Sequence, residues 1–185
     1  MSKEKVKVQL TEKRLVVWDP KDGSRLYSLG YYGKPIGIPK PKTFEFDVPT
    51  ILDMIEGVYL QEKGIIEVYD ESGKKVSKKK LLDRASAVHE DFELKYMTYK
   101  DLKRHRYVVQ PGIKFGCTFA VYLRGPGLDH APFLISVMRE EDMIGATEIV
   151  RAGRLATTVK KRFILAVPNV KSKNINYIIF KWWRA

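Results

Sequence analysis

The stretch that decides the fold is KFGCTFAVYLRGPGLDHA, residues Lys114 to Ala131. An apolar run within it ends at Tyr122, and a glycine-rich turn separates this tyrosine from His130. A later apolar run starts just after Lys161. Apolar runs bounded by turns predict β-strands, so a phenol, an imidazole and an ammonium are expected at strand ends. A phenol, an imidazole and an ammonium together form a set that can carry out acid–base chemistry.

The composition is that of one large domain or two small ones with a strong positive charge. The 185 residues include 34 Lys and Arg against 22 Asp and Glu, a formal net charge of +12. This excess favours a polyanionic partner through counterion release, although a basic protein without nucleic acid fits the charge as well. The single cysteine, Cys117, is expected to be a buried thiol. Apolar runs fall short of the ~18 residues of a membrane span and the polar start is no signal peptide, so we expect a cytoplasmic protein.

The N-terminal half, residues 1–95, is predicted to form a small α+β module. Alternating apolar residues predict two short strands between Lys5 and Trp18. The other elements predicted in this half are a turn at Asp19–Gly23, a strand at Leu26–Tyr32, a helix after Pro49 that stops at Gly64, a strand at Ile65–Tyr69 and a helix from Ser77.

A basic, proline-rich segment, Lys34 to Lys42, lies inside this module. Its three prolines and the glycine between them prevent a regular ladder of strand hydrogen bonds, so we predict a loop. The segment fits a surface connection between two elements, and its lysines also fit contact with a polyanion.

The C-terminal half, residues 96–185, is predicted to be a mixed sheet with a helix against one face. Thr98 and Asp101 have the spacing of a capping box, which predicts a short helix from Thr98 to about His105. A second helix is predicted from Glu140 to about Leu155. The predicted strands are Tyr107–Val109, Thr118–Leu123, Phe133–Val137, Thr158–Val167 and Ile175–Trp183.

The segments Lys114–Ala131 and Thr158–Arg162 resemble the catalytic domain of the archaeal tRNA-splicing endonucleases, the tRNA-intron lyases. The resemblance extends through Tyr96–Leu102 and, more loosely, through Ile51–Gly64, so it covers most of the chain. It implies an α+β protein with a nuclease-like C-terminal catalytic domain and a precursor tRNA substrate. Cleavage at a bulge-helix-bulge by the ribose 2′-hydroxyl, without metal or cofactor, would leave a 2′,3′-cyclic phosphate and a 5′-hydroxyl.

The resemblance also implies the roles of the three side chains. Tyr122 takes the place of the general base, His130 that of the general acid and Lys161 that of the electrostatic clamp. A histidine is suited to the acid role because its ordinary pKa of about 6.5 permits protonation near neutrality. A tyrosine, with an ordinary pKa of about 10, needs nearby cations to act as a base. Each side chain alone has an ordinary structural explanation, and Lys160 is the alternative to Lys161.

Further residues are expected to hold the RNA. Arginine planes can stack on the unpaired nucleotides of a bulge, and lysines can bind phosphates. The candidates are Arg154, Arg184, Lys160 and Lys42. Arg154 has a second explanation, because a cation at that position also complements the end of its helix.

The assembly is expected to need a second kind of subunit. Enzymes of the resembled family form four-subunit assemblies in which an acidic loop of one subunit docks in a basic cleft of another. The corresponding residues 168–176 of this chain contain two lysines and no carboxylate. A homotetramer would therefore press like charges together, so we expect a heterotetramer with a structural subunit.

Two other classes of function are left open by the residues. A non-catalytic RNA-binding subunit fits the charge, although it has no need of Tyr122, His130 and Lys161 together. A metal-dependent nuclease would need a spaced acidic cluster, whereas Glu140, Glu141 and Asp142 are adjacent. Cleavage in excess EDTA separates these alternatives from a lyase.

Overall fold

The computed structural model describes residues 4–39, 41–158 and 161–180, with residues 151 and 155–158 described by their backbone alone. Contacts divide the chain into two compact units, Met1–Phe92 and Glu93–Ala185. Each unit contains one five-stranded sheet together with helices. The predicted α+β fold class, with an N-terminal module followed by a C-terminal mixed sheet, is confirmed.

The N-terminal unit is a mixed sheet with three helices. Its elements are β1 (Val6–Leu10), β2 (Leu15–Val17), α1 (Pro20–Gly30), β3 (Lys34–Pro35), β4 (Thr50–Leu52), α2 (Met54–Glu62), β5 (Ile66–Tyr69) and α3 (Lys78–Val88). The strand order is β3-β4-β2-β1-β5, and β1 and β5 are parallel while the other neighbours are antiparallel. Every second side chain of β1 and β5 is buried, and for β1 this is the periodicity that predicted the strand.

Several predicted elements of this unit are confirmed, among them β1, β2, β5 and the helix after Ser77. The Ser77 hydroxyl accepts a hydrogen bond from Lys80 N at 3.2 Å, which caps α3. The helix predicted after Pro49 begins later, because Asp53 caps it and Glu56 completes a capping box. The three residues before Asp53 form β4.

The turn predicted at Asp19–Gly23 and the strand predicted at Leu26–Tyr32 are both wrong, since α1 occupies most of this segment. The Asp19 carboxylate accepts a hydrogen bond from Lys21 N at 2.8 Å, and a proline holds the first helical position. Aspartate and proline favour turns and helix starts alike, so the sequence pattern did not separate the two structures.

The expectation that Lys34–Lys42 joins no ladder is wrong for its first two residues. Lys34 pairs with Ile51 and Pro35 pairs with Thr50 in the antiparallel β3–β4 pair. β3 is the outermost strand of its sheet, so one of its sides faces no other strand. Pro35 has no backbone N–H, and on that side no hydrogen bond to a neighbouring strand is required of it.

The C-terminal unit follows the start of α4 (Phe92–Arg104) and forms the second sheet. Its other elements are β6 (Val108–Pro111), a 3-10 turn (Ile113–Phe115), β7 (Phe119–Tyr122), β8 (Phe133–Val137), α5 (Ala146–Thr158), β9 (Arg162–Asn169) and β10 (Asn174–Ile179). The strand order is β10-β9-β8-β7-β6, with β8 and β9 parallel and the other pairs antiparallel. Its buried core includes Ala120, Ala131, Leu134, Phe163 and Leu165.

The capping box predicted at Thr98 is wrong. Thr98 is fully buried within α4, and its hydroxyl donates a hydrogen bond to the Leu94 carbonyl oxygen at 2.9 Å. A threonine can satisfy its hydroxyl against the preceding helical turn, so the spacing to Asp101 does not by itself mark a helix start. The helix therefore begins at Phe92 and not at Thr98.

The helix predicted from Glu140 starts later, at Ala146. Residues 140–142 lie before it, where the Asp142 carboxylate accepts a hydrogen bond from Arg139 N at 2.9 Å. Because α5 continues to Thr158, β9 begins at Arg162 and not at Thr158. The strand predicted to run to Trp183 is described as far as Ile179, and its last residues lie outside the described part of the chain.

The outermost strand β10 is bound to α4 by a side-chain hydrogen bond. The Tyr177 hydroxyl donates to the Asp101 carboxylate at 2.8 Å, and Arg104 donates to the same carboxylate at 2.6 Å. Burial, together with the hydrogen bond to this negative group, raises the pKa of the Tyr177 phenol. The phenol is therefore a hydrogen-bond donor at neutral pH, which fixes the edge strand.

Candidate active site

Three strand ends lie side by side along one edge of the C-terminal sheet, the edge at which β7 ends and β8 and β9 begin. β7 ends at Tyr122, and its antiparallel pairing sets that end beside the start of β8. β9 begins just after Lys161, and its parallel pairing sets its start beside the same end of β8. His130 lies in the segment that enters β8. The strand register thus sets the backbone of Tyr122 and Lys161 at the same edge, and His130 lies three residues before β8 begins there.

Lys161 is fixed by contacts on two sides. Its Nζ donates a hydrogen bond to the Ala131 carbonyl oxygen and lies 5.3 Å from the ring centroid of Phe115. Partial burial lowers the pKa of the Lys161 ammonium, and the negative charge of Asp129 opposes this shift, as does any charge on Cys117. The amine is therefore held in a defined place, with a carboxylate favouring its charged form.

His130 is exposed and immediately precedes Ala131, whose carbonyl oxygen binds the Lys161 amine. The Lys161 amine is therefore bound to the backbone carbonyl of the residue that directly follows His130. An exposed imidazole at this place is accessible to a large ligand.

Tyr122 is half-buried at the end of β7. Burial, followed by the negative charge of Asp129, raises the pKa of its phenol. A tyrosine with an ordinary pKa of about 10 is already protonated at neutral pH, so Tyr122 is a neutral phenol in this structure. The charged group that acts on it is a carboxylate, whereas a general base would need a cation.

The turn between Tyr122 and His130 depends on its glycines. Gly125 and Gly127 have φ angles of 132° and 90°, a region that side chains with a Cβ rarely adopt. The Gly125 carbonyl oxygen accepts hydrogen bonds from Leu128 N and Asp129 N, both at 3.1 Å. The glycine-rich sequence therefore forms a closed turn, as predicted.

Asp129 is the residue that the sequence analysis missed. Its carboxylate accepts hydrogen bonds from three backbone amides, those of Leu123 at 3.2 Å, Arg124 at 3.0 Å and Gly125 at 3.0 Å. An aspartate that follows a glycine-rich turn often bonds the turn's own backbone, so a signal for this role was available. Its carboxylate therefore binds the backbone of the three residues that follow Tyr122, while Asp129 itself directly precedes His130.

Cys117, predicted to be a buried thiol, is half-buried in the structure. Its sulfur lies 3.5 Å from the Gly112 carbonyl oxygen and 3.4 Å from that of Phe119. Burial raises the pKa of the thiol to about 11, so it is neutral at physiological pH.

The four residues expected to hold RNA are not gathered at this edge by any described contact. Arg154 is exposed near the end of α5, and Lys42 is exposed in the loop of the N-terminal unit. Lys160 and Arg184 lie outside the described residues. Their binding role stays a prediction.

The described residues contain neither a candidate membrane span nor a candidate metal-binding group of side chains. Within residues 4–39, 41–158 and 161–180, we find no helix with the length and apolarity to cross a membrane. The same part of the chain has no group of three or more His, Cys, Asp or Glu side chains arranged to hold a metal ion.

The chain is a two-unit α+β protein, and the strand register of its C-terminal sheet sets the backbone of the candidate residues Tyr122 and Lys161 at one edge. Two family models match this chain, the "tRNA intron endonuclease, N-terminal domain" over residues 6–82 and the "tRNA intron endonuclease, catalytic C-terminal domain" over residues 92–177. The chain belongs to the tRNA intron endonuclease family, so the predicted family and enzyme class, an RNA endonuclease, are confirmed.

Curated relatives agree with this assignment. A tRNA-splicing endonuclease of Hyperthermus butylicus is 50% identical over 169 residues, covering 91% of this chain and 93% of the relative. The tRNA-splicing endonuclease of Saccharolobus solfataricus is 41% identical over 178 residues, 96% of this chain and 98% of the relative. That of Sulfurisphaera tokodaii is 39% identical over 175 residues, 94% and 97% of the two chains. The similarity to these archaeal proteins therefore extends over nearly the whole length of the chain.

Proposed function

We propose that this chain is the catalytic subunit of a tRNA-splicing endonuclease that cleaves precursor tRNA at exon–intron junctions. The substrate feature is a bulge-helix-bulge, and the nucleophile is the ribose 2′-hydroxyl beside the scissile phosphate. The products are a 2′,3′-cyclic phosphate and a 5′-hydroxyl. The observation that carries the proposal is the contact of Lys161 with Ala131, next to His130, at the sheet edge where β7 ends in Tyr122. The proposed location is the cytoplasm.

In this reaction His130 donates a proton to the departing 5′-oxygen. The attack gives the phosphorane extra negative charge, which the Lys161 ammonium stabilises. Electrostatic stabilisation by a fixed cation requires a defined position, and the contacts with Ala131 and Phe115 support this role. Metal ions are not needed for any of these steps, since the RNA supplies its own nucleophile.

The proposed role of Tyr122, as the general base, is to hold the 2′-hydroxyl and, as attack proceeds, to accept its proton while the phenol passes its own proton to solvent water. Its raised pKa means that the phenol is neutral before RNA binds, so it first acts as a hydrogen-bonding group that orients the nucleophile. Arg154, Arg184, Lys160 and Lys42 are proposed to contact the RNA, the arginines by stacking on bulge nucleotides and the lysines through phosphates.

The proposed assembly is a heterotetramer with a structural subunit that supplies an acidic loop. The turn between β9 and β10 contains Lys171 and Lys173, and its residues are exposed. The adjoining edge strand β10 exposes apolar side chains, Ile178 at 49% and Ile179 at 45%. A basic turn beside an uncovered apolar strand is consistent with a partner of complementary charge.

Single-turnover cleavage of an end-labelled precursor tRNA tests the reaction. The chain is assayed with its co-expressed second subunit in excess EDTA, and the product ends are identified by their sensitivity to phosphatase before and after acid opening of the cyclic phosphate. We expect cleavage in EDTA, and we expect His130→Ala to slow it by ~10²–10⁴-fold, the usual worth of a proton-transfer group.

His105→Ala is the matched control, because His105 is an exposed histidine of the same unit at the end of α4. It is expected to cleave at the unaltered rate. Cleavage that stops in EDTA and returns with magnesium would assign a metal-dependent nuclease. RNA binding without cleavage would assign a non-catalytic subunit.

The subunit composition has its own test. Light scattering after size-exclusion chromatography measures the mass of the chain alone and of the chain with its second subunit. We expect an active tetramer from the mixture only. A stable, active tetramer of this chain by itself would contradict the heterotetramer.

A further inference from the structure

Asp129 links the backbone segments that carry two side chains of the proposed site, Tyr122 and His130. Its carboxylate binds the amides of Leu123, Arg124 and Gly125, which directly follow Tyr122 in the chain. The same residue directly precedes His130. The Asp129 side chain therefore bridges the two ends of the turn between Tyr122 and His130. The turn cannot open without breaking the three hydrogen bonds of this carboxylate.

We propose that Asp129 is a positioning residue of the active site, which fixes the turn between Tyr122 and His130. This inference rests on the proposed function, since it concerns the same site. Asp129 is not proposed to touch the RNA. Its effect on cleavage passes through the places and the protonation of its neighbours.

The electrostatic part depends on the charged groups that surround the two neighbours. Asp129 and Cys117 act on Lys161, and Asp129 acts on Tyr122. Since the Cys117 thiol has a pKa of about 11 and is neutral below that pH, Asp129 is the one of these groups that is charged at neutrality. Its carboxylate favours the protonated forms of both the amine and the phenol. Removing this charge therefore lowers the pKa of both groups.

A purely structural aspartate makes the same kind of turn elsewhere in the chain. The Asp70 carboxylate accepts hydrogen bonds from Ser72 N at 3.2 Å, Ser72 Oγ at 2.7 Å and Lys74 N at 3.0 Å, in a turn that contains Gly73. Asp70→Asn therefore removes one charge and disturbs one glycine turn in the N-terminal unit. It is the matched control for Asp129→Asn.

The experiment compares wild type, Asp129→Asn, Asp129→Glu and Asp70→Asn, each assembled with the co-expressed second subunit. Thermal melting by circular dichroism is recorded first, and RNA affinity and the single-turnover rate are then measured from about pH 5 to pH 10. Asparagine has one acceptor oxygen in place of two, so it cannot keep all three hydrogen bonds to the turn amides. The turn geometry therefore relaxes while the negative charge is lost. A misplacement of the order of 1 Å can cost ~10²-fold in rate, and we expect Asp129→Asn to cleave ~10–100-fold more slowly.

Two further readouts separate positioning from mere turn stability. RNA affinity should stay the same or rise, because the substitution removes a negative charge near a polyanion. The alkaline limb of the pH–rate profile should shift to lower pH, and Asp129→Glu, which keeps the charge, should restore the limb. Asp70→Asn should keep the wild-type rate and profile at whatever melting temperature it has.

Each other outcome overturns the inference. An active wild type with Asp129→Asn at the same rate and pH profile removes Asp129 from the site and leaves the proposed function intact. Failure of both Asp129 variants to fold, or loss of RNA affinity in step with activity, assigns a structural role alone. An inactive wild type overturns the proposed function and this inference with it.

Discussion

Lys161→Met tests the electrostatic part of the proposed reaction most directly. Methionine retains an apolar side chain that can pack beside Phe115, but it has no ammonium for the phosphorane or for the Ala131 carbonyl oxygen. Loss of one preorganised donor to developing charge typically costs ~10²–10³-fold in rate. We therefore expect a fall of that size in single-turnover cleavage, equivalent to about 3–4 kcal/mol of transition-state stabilisation.

The same substitution should have a smaller effect on folding. The Lys161 ammonium donates one hydrogen bond and lies 5.3 Å from an aromatic ring. A charged hydrogen bond has a net value of about 1.5–3 kcal/mol and an exposed cation–π contact about 0.5–1 kcal/mol. Partial burial lowers the pKa of the ammonium, so desolvation offsets part of this sum, and the partly buried thioether adds apolar contact. The expected loss of unfolding free energy is about 1–2 kcal/mol.

The assay measures the rate at saturating enzyme, together with urea unfolding of each variant. Lys100→Met is the matched control, because the Lys100 amine lies 4.6 Å from the Tyr96 ring centroid in the same unit. It should lose a similar contact and keep the wild-type rate. A fall of less than ~10-fold in Lys161→Met, with folding intact, would refute the clamp. An equal fall in Lys100→Met would attribute the loss to charge in general.

Three further predictions concern stability. Gly23→Ala should destabilise the N-terminal unit by about 1–3 kcal/mol in urea unfolding, although alanine normally favours a helix by about 1 kcal/mol, because the new Cβ would overlap the Thr50 hydroxyl. Hydrogen bonding, mainly from Lys75, lowers the pKa of Glu67 to about 2. The contribution of Glu67 to folding stability is therefore fully present above the unfolded pKa of about 4.3 and is lost as the pH falls towards 2. Glu67→Gln should flatten the fall of the melting temperature in that pH window. Tyr177→Phe removes the hydrogen bond between β10 and α4, and faster amide exchange in β10 should follow.

Local patterns predicted those elements whose periodicity has a single explanation. Alternating apolar residues in β1 and β5 fit a half-buried strand and nothing else of that length, and the structure has them there. Asp19 with its proline, and Thr98 with Asp101, each fit two structures. Tertiary contacts decide between them, since Thr98 is buried in the middle of a helix. Such contacts are not visible in a window of ten residues.

The site divides in the same way. The types and order of Tyr122, His130 and Lys161 are visible in the sequence, and the pairing of β7, β8 and β9 brings their backbone positions together. The role of Asp129 depends on where a turn folds back, and three amides close in sequence become its partners only after the glycines have set the chain direction. Sequence alone therefore finds the candidate reacting groups more readily than Asp129, the residue proposed to arrange them.

The electrostatics of the edge place a condition on the proposed mechanism. Asp129 favours the protonated forms of both Tyr122 and Lys161, so before RNA binds the phenol is neutral while the carboxylate favours the ammonium. A phosphodiester carries a further negative charge, and its arrival raises the pKa of the phenol again. A preformed tyrosinate is thus disfavoured at every stage before attack. The 2′-hydroxyl proton must therefore leave as the new P–O bond forms, when the Lys161 ammonium stabilises the developing charge. In the proposed reaction the Tyr122 phenol orients the nucleophile and takes up this proton only as it releases its own proton to solvent water.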